Sequence, residues 1–136
     1  MTKPLIYFTA PYDHRGGQFA YRTVGLASEV SVFCTPILPA LNQFLCAIQP
    51  QTEEYLLEYR LELLSKCDGL VMLAGEGFES NPEYLYARDM RMPILDRVRT
   101  QVYSEDFDDG GVRHWLIKHW TPEGWGPAHP RWIHYG

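Results

Sequence analysis

The sequence predicts an α/β fold: a small doubly wound parallel sheet, Rossmann-like or flavodoxin-like, with flanking helices and an aromatic C-terminal extension. Two short apolar runs without alternation, LIYFT at 5–9 and GLVMLA at 69–74, are typical of strands covered on both faces. Each run is followed by a turn containing glycine and then by a helix signal, which is the pattern of βαβ units. The 136 residues, 46% of them hydrophobic, suffice for one packed domain.

The first βαβ unit opens the chain. A strand at Leu5–Thr9 leads into the loop APYDHRGG at 10–17, which is dense in turn-forming residues. Apolar residues at helical spacing then predict a helix over Phe19–Ser28. The second strand is expected at Val30–Thr35, closed by Pro36.

Helical segments fill the interval before the second apolar run. Residues 42–48 are expected to form one or two helical turns. Thr52 is a strong N-cap candidate, because Glu53 and Glu54 follow it in the first turn, where the helix dipole favours acidic side chains. An apolar stripe carries this helix toward the next strand and consists of Leu56, Leu57, Leu61, Leu63 and Leu64.

The second βαβ unit places a carboxylate next to the end of a buried strand. The strand at 69–74 exits through GEG at 75–77, since glycine permits a sharp turn. Either Ser80 or Asn81 can cap the next helix, which has a proline at its first position and Glu83 in its first turn. In an open α/β sheet this loop lies at the carboxyl edge, where ligands bind.

The helix after Glu83 is expected to reach Met92. Pro93 then stops it before a second short apolar strand at Ile94 and Leu95. This strand completes the α/β domain, which we expect to span residues 1–97.

Residues 98–136 differ in composition from the rest of the chain. They contain the four tryptophans of the sequence, Trp115, Trp120, Trp125 and Trp132. A helix is expected over Gly111–Trp120, whereas the segment beyond Pro122 is too rich in proline and glycine to continue it. Because so many aromatic side chains need burial, we expect this extension to pack on its own domain, to pack on a partner subunit, or to line the ligand site.

Net charge and cysteine content limit the kinds of partner and the cellular compartment that we expect for this protein. A net charge of −5 and a pI near 5.5 argue against a surface for nucleic acid or membranes, since both require a basic face. The three cysteines share no metal-like spacing and are expected to be buried thiols. The apolar start is too short for a signal peptide or a membrane span. We therefore expect a cytoplasmic protein, of a bacterium or of a phage-infected host.

Several of these segments together resemble one protein family. They are the opening LIYFTAPYDHRGG, the strand CDGLVML, the acidic helix start ESNPE, and the spacing of Ala87, Pro93 and Ile94. In order and spacing they resemble the nucleoside 2-deoxyribosyltransferase superfamily, within it a small bacterial and phage branch, and the deoxynucleoside 5'-monophosphate N-glycosidases. The resemblance covers residues 4–96.

The resemblance implies two catalytic residues. Glu83 stands ten residues before Pro93, the offset of the family's nucleophile. Tyr7 occupies the place of a first-strand tyrosine that lies beside that carboxylate. Such a carboxylate can stabilise or bond to the oxocarbenium-like anomeric carbon that forms when an N-glycosidic bond breaks. The tyrosine hydroxyl can hold the carboxylate in place through a hydrogen bond.

The resemblance also implies a phosphate site. Family members bind a 5'-phosphate through the loop after the first strand and a serine ahead of the acidic helix. The matching substrate-binding candidates are Arg15, Gly16, Gly17, Ser80 and Asn81. Backbone amides and a guanidinium suit a phosphate because they form charge-assisted hydrogen bonds. Asp13 either contacts a sugar hydroxyl or caps the turn.

The chain departs from the family pattern at two places. The segment from Ser80 to Glu83 is shorter than the usual serine-to-glutamate spacing and contains a proline. The active transferases also carry an aspartate in the helix before the CDGLVML strand, thought to handle the base, and the nearest residues here are Tyr59 and Arg60. Glu58 and Glu62 lie near that place, but their spacing does not match.

Three functional hypotheses follow. The first is an enzyme that cleaves or exchanges the N-glycosidic bond of a nucleoside or nucleoside 5'-monophosphate. The second is an inactive module of the same fold that binds or sequesters a nucleotide, and the third is a structural subunit that assembles through the aromatic extension. No cofactor and no metal are implied, since a carboxylate suffices for the reaction and His114 and His119 do not share a helix face. By family analogy we expect a homodimer or larger homo-oligomer.

Overall fold

The computed structural model describes residues 3–11, 18–39, 52–99 and 109–120. Within these ranges four strands form an all-parallel sheet in the order β2-β1-β3-β4: β1 (Leu5–Thr9), β2 (Thr35–Ile37), β3 (Gly69–Leu73) and β4 (Ile94–Val98). The flanking helices are α1 (Gln18–Val30), α2 (Glu53–Ser65), α3 (Pro82–Asp89) and α4 (Val112–Trp120). The predicted α/β fold with a parallel sheet is confirmed.

Both faces of the sheet are covered, because alternate side chains of β1 and β3 point into different helical layers. The core shared with α1 and α4 includes Ile6, Phe8, Val71, Leu73, Leu26, Ala27, Val112, Trp115 and Leu116. The smaller core shared with α2 and α3 consists of Tyr7, Leu70, Met72, Leu64 and Ala87, with partly buried neighbours. Tyr7 therefore lies in the layer that contains the helix of Glu83.

The strand order creates a topological switch between β1 and β3. The chain passes from β1 through α1 to β2 on one side, and then through α2 to β3 on the other side of β1. The loops after β1 and β3 meet there, since a Cβ atom on Gly75 would lie 3.2 Å from Cγ of Pro11. Ligands of open α/β sheets bind outside the carboxyl ends of the strands at such a point.

Several elements lie where the sequence predicts them. β1 has the expected bounds, and the helix expected over Gly111–Trp120 is α4. Thr52 caps α2, as predicted, and its hydroxyl accepts a hydrogen bond of 3.1 Å from the Tyr55 backbone N–H. The helical turns expected at 42–48 lie outside the described residues.

The second strand begins later than the sequence predicts. It was expected at Val30–Thr35, but α1 continues to Val30, and the turn that follows buries Phe33 and Cys34 in the core. Their apolar character reflects this packed turn rather than a strand. Pro36 lies inside β2 instead of closing it, which is tolerated because β2 is at the edge of the sheet and needs fewer N–H donors.

Helix α3 ends at Asp89, earlier than the expected end at Met92. Arg91 adopts a left-handed conformation with φ 56°, and its N–H donates to the Arg88 carbonyl at 3.0 Å. The N–H of Met92 reaches back to the Ala87 carbonyl at 2.9 Å. These two hydrogen bonds form a Schellman motif, which stops the helix before Pro93 is reached.

The last strand is longer than the expected Ile94 and Leu95, because β4 extends to Val98. The boundary between residues 97 and 98 thus falls inside this strand. Helix α4 buries Val112, Trp115 and Leu116 in the same core as β1 and β3. For residues beyond 120, packing on the same domain or on a partner stays a prediction.

Arg91→Gly is expected to raise the free energy of unfolding by about 1 kcal/mol, measured by urea denaturation. A side chain in the left-handed region costs about that much, and glycine is the usual residue at this helix-terminal position. The matched control is Arg88→Gly, which removes the same side chain from the exposed last turn of α3. It should lower stability by about 1 kcal/mol. Effects of the same sign in both variants would contradict the assigned role of Arg91.

Candidate functional site

The loop between β3 and α3 positions the acidic residue of the site. Gly77 adopts a left-handed conformation with φ 77° and starts the short 3-10 turn Phe78–Ser80. Asn81 is the N-cap of α3, since its Oδ1 accepts from the N–H groups of Glu83 at 2.9 Å and Tyr84 at 3.2 Å. Of the two capping candidates, the structure therefore selects Asn81.

Ser80 lies one residue outside that cap and is exposed. Its hydroxyl donates to the Gly77 carbonyl at 3.1 Å, which stabilises the turn. Asn81 uses its side-chain oxygen for the helix cap, so its amide NH₂ is the group that could meet a ligand. Their predicted roles in substrate binding stay predictions.

Glu83 is buried, with 4% of its surface exposed, although it occupies the first turn of a helix where acidic residues usually face water. Its Oε1 lies 3.2 Å from Nε of Arg60, which comes from α2. Tyr7 of β1 is fully buried beside the same carboxylate. The structure thus brings together Glu83 and Tyr7, the two residues predicted to be catalytic.

The surroundings keep the Tyr7 hydroxyl protonated. Burial raises the pKa of Tyr7 far above its ordinary value, and the negative charge of Glu83 and a hydrogen-bonding interaction with it raise the pKa further. The positive charge of Arg60 opposes this in part. The hydroxyl makes no hydrogen bond of standard geometry, so the contact with the carboxylate is close but imperfectly aligned. A protonated Tyr7 hydroxyl can offer a hydrogen bond to the Glu83 carboxylate.

Arg60 is the site residue whose role sequence reasoning missed. Its side chain is 35% exposed, yet its Nε atom is buried and makes no hydrogen bond. The exposed part therefore belongs to the other atoms of the side chain. Nε and the Glu83 carboxylate form an ion pair, but the N–H group of Nε is not aligned for a hydrogen bond. The one signal in the sequence was that Arg60 lies near the place of an aspartate in the resembling family. The family pattern gives no function to a cation at that place.

Cys67 is a further polar neighbour of this cluster. It interacts electrostatically with Tyr7, and its thiol donates to the Leu63 carbonyl at 3.3 Å. Burial, and secondarily the charge of Asp68, raise the pKa of Cys67 to about 11. The thiol therefore stays protonated near neutral pH and is a poor nucleophile.

Aromatic and cationic contacts hold the loop that leads to Glu83. The rings of Phe78 and Tyr84 meet edge to face with centroids 5.4 Å apart. The Arg97 guanidinium lies 5.5 Å from the Phe78 ring centroid. Arg97 has φ 53° in a part of β4 where the pairing with β3 shifts register. This irregularity in the strand accompanies the packing of Arg97 on the loop.

The predicted phosphate-binding residues of the first loop, together with Asp13, lie outside the described residues: Asp13, Arg15, Gly16 and Gly17. In the sequence their loop follows Pro11, which itself lies beside Gly75 of the loop after β3. Among the residues that the structure describes, no group of three or more His, Cys, Asp or Glu is placed to hold a metal ion. No helix in the described ranges is long and apolar enough to cross a membrane.

No protein-family model matches the chain, and no curated protein is significantly similar to it. The candidate site consequently rests on its own geometry, a buried carboxylate held between a tyrosine and an arginine at the switch point of a parallel sheet.

Proposed function

We propose that this protein cleaves or transfers the N-glycosidic bond of a nucleoside or nucleoside 5'-monophosphate, with Glu83 as the nucleophile. The observation that carries the proposal is the burial of this carboxylate against Tyr7 and Arg60. A buried carboxylate beside the ligand edge of a sheet has a stability cost that a purely structural residue could avoid. The resemblance to N-glycosidases and deoxyribosyltransferases supplies the reaction class.

The chemistry assigns one role to each residue. A Glu83 oxygen attacks C1' of the sugar while the bond from C1' to the base nitrogen breaks. Tyr7 keeps its proton and orients the carboxylate. Water, or a second base, then attacks C1' from the opposite face and releases Glu83. Water gives hydrolysis, and a second base gives exchange.

A phosphate on the substrate is the better fit to the surrounding sequence. Arg15, Gly16 and Gly17 belong to the loop after β1, and Ser80 is exposed in the turn before α3. Both segments follow central strands at the carboxyl edge, so a 5'-phosphate held there would leave C1' near the centre of the site. A substrate fixed in this way favours hydrolysis over exchange.

The alternative is a module of the same fold that binds or sequesters a nucleotide without turnover. Arg60 favours this alternative, because its guanidinium pairs with the carboxylate that would have to attack. In the sequence, Tyr59 and Arg60 are the residues nearest to the place of the family's aspartate. A bound nucleotide would then be held by the loops while Glu83 stays in its ion pair.

Incubation with a panel of nucleosides and 5'-monophosphates, in ribo and deoxy forms, separates the two candidates. Free base is measured by chromatography, and binding by calorimetry. The proposed enzyme should release base from at least one monophosphate faster than from its nucleoside. Tight binding without base release on long incubation would overturn the proposal and establish the binding module.

A further inference from the structure

Arg60 and Glu83 form an ion pair inside the candidate site. Nε of Arg60 lies 3.2 Å from Oε1 of Glu83, and this Nε atom is buried. Glu83 is 4% exposed, so little water can hydrate its carboxylate. The neighbouring cation therefore helps to keep the buried carboxylate charged. The protonated Tyr7 hydroxyl, which can offer a hydrogen bond, acts in the same direction.

The proposed reaction removes this charge and then restores it. In the first step a Glu83 oxygen bonds to C1', and the C1'–N bond breaks. Its electron pair leaves with the base, which takes a proton from solvent. In the second step a water oxygen bonds to C1', and the bond between C1' and Glu83 breaks. That electron pair returns to the carboxylate, and the proton of the water goes to solvent.

Arg60 affects these two steps in opposite directions. While the sugar is bonded to Glu83, the ester is neutral and the buried Nε has lost its charged partner, which is costly. As water displaces the ester, negative charge forms again on both carboxylate oxygens, whichever of them carried the sugar. With Oε1 only 3.2 Å from Nε, that charge is stabilised in the second transition state. The first step gains nothing, since the ion pair stabilises the carboxylate before it attacks.

We propose that Arg60 is a positioning residue that acts through Glu83 to speed the release of the sugar rather than its capture. This inference rests on the proposed N-glycosidic function of Glu83 and adds a residue for the second step of that reaction. It gives a function to a cation that would otherwise only weaken the nucleophile. An arginine that merely orients Glu83 would instead speed the first step.

The test measures the two steps separately in Arg60→Gln and in the unmodified protein. The probes are the common ribonucleoside and deoxynucleoside 5'-monophosphates, at about pH 8, well above the ordinary pKa of a carboxyl group. Rapid-quench measurement of the first equivalent of free base gives the rate of the first step. The intact mass of the quenched protein gives the fraction that carries sugar phosphate on Glu83.

In Arg60→Gln the second step should be slower by about 30-fold, a moderate loss because the arginine side chain is 35% exposed. The first step should be unchanged or faster, so the sugar phosphate adduct accumulates and free base appears in a burst. Arg60→Lys keeps the positive charge and should slow the second step by only about threefold. This milder variant decides the question if urea denaturation shows that Arg60→Gln is unfolded.

The matched control is Arg88→Gln, which removes an exposed arginine of α3 that lies 3.9 Å from Asp89. Both of its rates should equal those of the unmodified protein. A slower first step without accumulation of the adduct, or unchanged rates in both Arg60 variants, would overturn the inference while leaving the proposed function intact. Failure of the unmodified protein to release any base would overturn both.

Discussion

Glu83→Gln is expected to lower the rate of base release by at least about 1,000-fold, because an amide oxygen is too weak a nucleophile to attack C1'. Glutamine has nearly the same volume as glutamate, so α3 and its Asn81 cap should persist. The free energy of unfolding should change by about 1–2 kcal/mol at most, since Arg60 is partly exposed and can be hydrated. Single-turnover assays and urea denaturation measure the two effects separately.

The matched control for charge is Glu79→Gln. Glu79 is an exposed carboxylate in the 3-10 turn just before α3, and its replacement should leave base release unchanged. A second variant tests nucleophilic attack directly: in Glu83→Ala, added azide should reach C1' through the space vacated by the side chain and form a glycosyl azide. Base release by Glu83→Gln at the rate of the unmodified protein would exclude Glu83 as the nucleophile.

Those parts of the fold that depend on local signals could be predicted from the sequence. The runs at β1 and β3 are apolar except for Thr9 at the end of β1, and the Thr52 cap is a local hydrogen bond, so neighbouring residues suffice to identify them. The start of β2 could not be found in this way. Whether Val30 ends a helix or begins a strand depends on which core its side chain enters, and that is decided by tertiary packing.

The end of α3 illustrates a different limit. Pro93 is a strong local signal for a helix end, but the helix had already stopped at Asp89 through the left-handed conformation of Arg91. That conformation is unusual for arginine, so no pattern in the sequence indicates it. It is fixed by the hydrogen bonds of the Schellman motif, in which Met92 reaches back to Ala87.

Some parts of the candidate site could be predicted from the sequence and others could not. Glu83 and the cap before it could be placed by counting residues from the end of β3. The partnership with Arg60 could not, because it joins residues of two helices that are adjacent only after the sheet has formed. The resemblance drew attention to position 60 because an aspartate was absent there, whereas the structure gives that position a cation whose Nε lies 3.2 Å from Oε1 of Glu83.

Helix α4 packs on the sheet at Gly69, a contact that the sequence did not reveal. A Cβ atom at this first residue of β3 would lie 2.7 Å from Cη2 of Trp120 and 3.1 Å from Cη2 of Trp115. The two rings pack edge to face with centroids 4.9 Å apart. The strand therefore begins with glycine because two tryptophans of α4 rest on its backbone. These two residues belong to the core of the domain rather than to a separate assembly surface.

Trp115→Ala is accordingly expected to lower the free energy of unfolding by about 3–5 kcal/mol, the usual cost of removing a large buried aromatic side chain. Trp115 is 8% exposed and belongs to the larger hydrophobic core with Phe8 and Leu116. Since small domains have about 5–15 kcal/mol in total, the variant should be close to unfolding at room temperature. Thermal and urea denaturation of the full chain measure the loss, and Trp115→Phe should give an intermediate value.

Lys118→Ala is the control on the same helix, because Lys118 is exposed and its removal should change stability by no more than about 0.5 kcal/mol. The same samples are measured by native mass. If α4 is an integral part of the domain, Trp115→Ala destabilises the subunit itself at every protein concentration. A subunit of unchanged stability that only loses its oligomeric state would contradict this and return the helix to the role of an assembly surface. In that case Gly69→Ala, which displaces the same rings from β3, should also weaken the oligomer without unfolding the subunit.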